Sequence, residues 1–119
     1  MVRENFYEDK AEEFLRLKGY RILERNFNTR WGEIDIVAKD KHIFALIEVK
    51  ARGRDFWVSP QEAVDESKRR RLVLTGKLYA KRYPQGDYRF DVVAIEEGKG
   101  WRSYYLIKNA FLENEKIQR

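Results

Sequence analysis

The chain reads as an α/β or α+β sandwich, with helices laid over a largely antiparallel sheet. Three observations carry that reading. Two segments show the helical apolar period, and five show strand patterning. The order α-β-β-β-α-β-β fills all 119 residues with no repeat, low-complexity stretch or linker. That length suits a single domain, 1–119. A domain of this size buries about two-thirds of its unfolded surface and needs no covalent staple.

The first helix is predicted over Asn5 to Lys18, where Tyr7, Ala11, Phe14, Leu15 and Leu17 form an apolar stripe. Gly19 is a natural stop. Tyr20 to Asn28 alternates loosely and reads as an edge strand, followed by a turn to Trp31. Gly32 to Ala38 and Ile43 to Lys50 are the next two strands, with Asp40-Lys41 as a two-residue turn. Ala51 to Val58 is read as a charged loop. Ser59, Pro60 and Glu62 then supply an N-cap, a first helical residue and a capping box. That helix is expected to reach about Arg82. Ala63, Val64, Leu72, Leu74, Leu78 and Tyr79 can form its buried side, and Gly76 is its weak point. Tyr88 to Glu96 and Trp101 to Ile107 make a second hairpin across Glu97-Gly98-Lys99-Gly100. Ala110, Phe111 and Leu112 pack back in a short tail.

The first hairpin holds the chemistry. With Asp40-Lys41 as the loop, Lys39 faces His42, Asp35 faces Leu46, and Glu33 faces Glu48. Side chains alternate faces along a strand. One face then carries Ile34, Ile36, Ala38, Ile43, Ala45, Ile47 and Val49. The other carries Val37, Phe44 and Leu46 near the turn, then Glu33, Asp35, Glu48 and Lys50 at the far end. Asp35 and Glu48 become diagonal neighbours, roughly 7–8 Å apart at the backbone, close enough to share one ion. Crowded carboxylates repel and raise each other's pKa, which a divalent cation or a lysine relieves. A solvated hairpin face is the plain alternative. Two details point away from it: the charges gather at one end, and the apolar runs near the turn are nearly continuous, as in strands covered on both sides.

The net charge is +5, with no cysteine and one histidine. Disulfides and thiolate sites are excluded, zinc is disfavoured, and a cytoplasmic setting is the simplest reading. Met1 to Glu8 has no apolar signal core, and no segment has the length and apolarity of a membrane span. From Lys50 to Arg89, eleven basic residues stand against five acidic ones, so the whole excess follows the hairpin. Such a segment attracts polyanions, nucleic acid foremost. Trp31, Trp57 and Trp101 can stack on bases or pack at a rim. Arg89 and Asp91 read as an internal pair that pins a strand.

Asp35, followed on the next strand by Glu48-Val49-Lys50, resembles the pattern of the PD-(D/E)xK, restriction-endonuclease-like nucleases. More of the chain resembles the YraN-like family of predicted endonucleases, itself similar to archaeal Holliday junction resolvases. The matching residues are Glu8 with Ala11, Phe14, Leu15, Gly19, Tyr20 and Asn26; Gly32 to Ala38; Glu48-Val49-Lys50 with Arg52; and Ser59-Pro60 through Glu62-Ala63-Val64 to Lys68. Arg89 to Val93 and Asn109-Ala110-Phe111 match as well, while Tyr7 and Val58 stand where that family would have glycine.

The resemblance implies a restriction-endonuclease-like α/β fold, a central mixed sheet flanked by helices. It implies hydrolysis of DNA, branched or otherwise structured, by a homodimer using Mg²⁺ or Mn²⁺. Asp35 and Glu48 would hold the metal, with the Val49 carbonyl, and Glu8 through water. Lys50 would position or deprotonate the attacking water. Glu33 would stand behind the ligands. Lys68, Arg52, Arg69, Arg70 and Arg71 would meet the nucleic-acid backbone. The alternatives are a nucleic-acid-binding module of the same fold without efficient turnover, and a scaffold that touches no nucleic acid.

Overall fold

The computed structural model describes residues 5–53 and 66–110. α1 spans Phe6–Leu17, β1 Arg21–Thr29, β2 Gly32–Asp40, β3 Ile43–Gly53, α2 Glu66–Ala80, β4 Asp87–Gly98 and β5 Trp101–Ile107. The strands form one sheet in the order β1-β2-β3-β4-β5. β3 and β4 run parallel, and the other neighbours are antiparallel. A parallel pair needs a crossover, and α2 lies within it. This mixed sheet with helices is a restriction-endonuclease-like α/β fold, in the order the sequence predicts.

The two helices serve opposite faces. Alternation along β3 sends Phe44 and Leu46 to the cluster containing Leu72 and Tyr79 of α2. It sends Ala45 and Ile47 to the cluster containing Ala11 and Leu15 of α1. Both faces of the central strands are therefore covered, which explains their continuous apolar runs. Each large buried side chain contributes about 1.5–3 kcal/mol. α2 continues unbroken through Gly76, which is buried. Gly19, with φ +92, reverses the chain after α1. Among the described residues, no helix is long and apolar enough to cross a membrane.

The structure differs from the sequence reading in three places. Asp40 pairs with Ile43, so the turn is Lys41-His42 and the register moves by two residues. Lys41 takes the positive φ, 58°, and Asp40 stays in the strand where Arg89 and Lys108 hold its carboxylate. A two-residue shift preserves faces, so Val37 still lies with Leu46. Ile34, however, joins the α2-side cluster rather than that of Ile36. The β2–β3 register ends at Ile36↔Ile47, while β2 continues along β1 down to Thr29↔Gly32. The sheet opens there, and strict alternation lapses. Third, β3 runs on through Ala51–Gly53 beside β4, where a loop was expected. The capping box at Ser59 to Glu62, with Ala63 and Val64, lies outside the described residues, as do Trp57, Val58, Phe111 and Leu112.

Candidate metal and nucleic-acid site

The opening between β2 and β3 is filled by carboxylates. Asp35 sits one step past the last registered pair, and its Oδ2 accepts the Val49 N–H at 2.8 Å. A side chain thus takes the place of a ladder carbonyl. The shifted register, carried one step further, sets Asp35 opposite Glu48. Carboxylate oxygens of Glu8, Glu33 and Asp35 all lie within 4.8 Å of one another. Burial, then the charge of Glu48, raises the Asp35 pKa to about 8, and Glu8 and Glu33 add to the rise. The Val49 N–H opposes this shift without cancelling it.

Glu48 is buried, and two lysines reach it: Lys50 Nζ at 3.3 Å and Lys68 Nζ at 2.5 Å. Burial and the neighbouring Lys68 lower the Lys50 pKa, although Glu48 resists. For Lys68, burial works downward, but its hydrogen bond to Glu48 prevails and the pKa is raised. Lys68 comes from the first turn of α2, so the ion triad ties that helix to β3.

Glu8 reaches the cluster from the start of α1. Arg25 of β1 steers it, contacting Asp9 at 2.8 Å, Glu12 at 3.1 Å and Glu8 at 3.5 Å. Asn26, in a left-handed conformation with φ 55, donates to Glu8 at 3.3 Å. Tyr7, at a departure from the family pattern, donates its hydroxyl to Glu97.

The site residues expected from sequence therefore divide. Asp35, Glu48, Val49, Lys50, Glu8 and Lys68 come together, and Glu33 stands among the acids rather than behind them. Arg70 and Arg71 are exposed on α2, within reach of Glu66 at 3.5 Å and Ser67 at 2.8 Å. Arg69 is half-buried. The Arg52 backbone pairs with Glu96 on β4. Arg25, which orients Glu8, was missed, and Asn26, named for the resemblance, was given no part in the site. Their signal was local: both lie on the strand facing the first helix.

Fold and site together define a restriction-endonuclease-like protein with an acid–lysine cluster at the parting of two strands. A family model described as "Uncharacterised protein family UPF0102" matches residues 7–95. A UPF0102 protein of Persephonella marina is 43% identical over 106 residues, covering 87% of this chain and 88% of the relative. One from Symbiobacterium thermophilum is 43% identical over 107 residues, covering 87% and 91%. One from Clostridium botulinum is 39% identical over 112 residues, covering 90% and 91%. The chain belongs to the UPF0102, or YraN, family.

Proposed function

We propose that this protein is a divalent-metal-dependent endonuclease that hydrolyses phosphodiester bonds of branched or otherwise structured DNA. The observation that carries this reading is the crowding of Asp35 by Glu8, Glu33 and Glu48 beside Lys50. Of these four acids, Asp35 has only the Val49 N–H to offset the crowding. An all-oxygen donor set fits a hard cation, Mg²⁺ or Mn²⁺. When bound, such an ion supplies Lewis-acid stabilisation of the phosphate and a nucleophilic water.

The chain's own groups do the rest. Asp35 and Glu48, with the Val49 carbonyl, would hold the cation. Glu8 and Glu33 complete its acidic surroundings. Lys50, its pKa depressed by burial, exchanges a proton with the attacking water and offsets phosphate charge. Lys68 exchanges Glu48 for a phosphate oxygen. Arg52, Arg69, Arg70 and Arg71 track the backbone without reading sequence. Symmetrical cutting of a branch needs two such sites, hence a homodimer.

A second reading draws on the Lys50–Glu48–Lys68 triad, which already neutralises Glu48: a nucleic-acid-binding module without turnover. Cutting of junction, flap and single-stranded DNA in Mg²⁺ or Mn²⁺ separates the two. Wild type should cut, and Glu48→Ala should lose at least about 100-fold, as loss of an essential transition-state contact does. Equal cutting by the variant would place the chemistry elsewhere. Binding without cutting in either metal would leave only the module.

A further inference from the structure

The β1–β2 turn presents an aromatic surface that the acid cluster does not use. Trp31 is 38% exposed at its tip. Its position is built rather than loose. The Trp31 N–H donates to Thr29 Oγ1 at 3.0 Å, and Thr29 Oγ1 lies 3.2 Å from Thr75 Oγ1 of α2. Thr75 Oγ1 in turn donates to the Arg71 carbonyl at 2.8 Å. This chain of hydroxyls fastens the turn to the helix.

A cation borders the indole. The Arg30 guanidinium lies 4.7 Å from the Trp31 ring centroid. Gly32 rests against α2 so closely that a Cβ there would lie 3.8 Å from Arg71 Cβ. A ring left in water and bordered by positive charge matches a ligand with a flat π-face and an anionic backbone. Two residues further along β2, Glu33 enters the acid cluster. The turn and the acids therefore share one strand, separated by about 7 Å of extended chain.

We infer that Trp31, bordered by Arg30, stacks on an unpaired base of a nucleic-acid strand whose phosphates follow α2. The inference rests on the proposed function for the strand's passage to the acids, while the stacking itself needs no metal. It narrows the substrate class to nucleic acid with unstacked bases, such as a branch point, flap or single strand. Fully paired duplex offers no free π-face at its interior and should engage only the cations.

Binding in EDTA tests this with the full chain. The probes are a fluorescein-labelled oligothymidylate of about 20 nucleotides, longer than one binding module occupies, a blunt duplex of equal length, and the oligouridylate equivalent. Trp31→Ala should weaken oligothymidylate binding about tenfold, a typical loss for one stacked base. Duplex binding should stay within about twofold, and Trp31→Phe should recover most of the loss. Equal binding of oligothymidylate by wild type and Trp31→Ala overturns the stacking and leaves the nuclease reading standing. Equal loss on single strand and duplex, with no recovery by Trp31→Phe, overturns it too, by making Trp31 a structural support. A wild-type chain that binds none of the probes removes the nucleic-acid reading itself. Tighter oligouridylate binding that also depends on Trp31 keeps the stacking and makes RNA the ligand.

Discussion

Asp35 on β2 and Asp91 on β4 flank the same strand, β3, yet folding treats them differently. Asp91 is 1% exposed and fully provided for. Arg89 grips it with two nitrogens, at 2.8 and 3.0 Å, Tyr20 donates at 3.1 Å, and the Asn109 N–H donates at 2.9 Å. Arg89 also reaches Asp40 at 2.8 Å. Burial disfavours the Arg89 charge, but its hydrogen bonds to Asp91 and Asp40 prevail and raise its pKa. Burial and the Asp91 charge likewise raise that of Tyr20. Asp35 receives one backbone N–H and three acidic neighbours. A buried acid whose hydrogen bonds and charge are answered is part of the frame. One left in conflict marks a place kept for something else.

The comparison breaks first at Asp91. Asp91→Ala leaves Arg89 with Asp40 alone and strips the acceptor from Tyr20 and the Asn109 N–H, and breaking a buried pair costs up to about 3–5 kcal/mol. Urea unfolding should show that loss, and a loss under about 1 kcal/mol would mean the network is not holding β4. Asp35 should behave in the opposite sense. Its folded pKa is about 8, against 3.8 for an ordinary aspartate. Between those values the folded chain keeps a proton that the unfolded chain has lost, so stability falls as pH rises. Asp35→Asn cannot ionise, and its amide oxygen can still accept the Val49 N–H. Its Tm should match wild type near pH 4 and rise progressively above it as the pH approaches 8. Parallel pH profiles would show that Asp35 is not in conflict. The smallest effect belongs to Lys108, 54% exposed and 3.3 Å from Asp40. Lys108→Ala should cost under about 1 kcal/mol and less in high salt, because Arg89 still holds Asp40. A larger loss would extend the frame to the surface.

Much of this was legible because β-strand alternation is a local rule. Val37, Phe44 and Leu46 against Ala45 and Ile47 sort to their faces by parity. Asp35, Glu48 and Lys50 were legible as a cluster because the charges gather at one end of the hairpin. Arg89 and Asp91 were readable as a pair because they stand two apart on one strand. What escaped was tertiary. Asp40 looks like a turn residue, and only Arg89 and Lys108, far along the chain, make it a strand residue. Ile34 follows the alternation until the parting of β2 from β3 sends it to the other cluster. Glu33 looked secondary because no sequence pattern reveals that Glu8, a helix away, lies within reach of the same point.

The parting of β2 from β3 also bears on how the sheet avoids unwanted strand pairing. β3 enters the sheet as an interior strand, and its register with β2 ends at Ile47. Such a flank is a template for another chain's backbone. Asp35 occupies the Val49 N–H, and the surrounding negative charge repels an incoming strand. The acids proposed to hold the cation also guard this flank against a stray pairing strand.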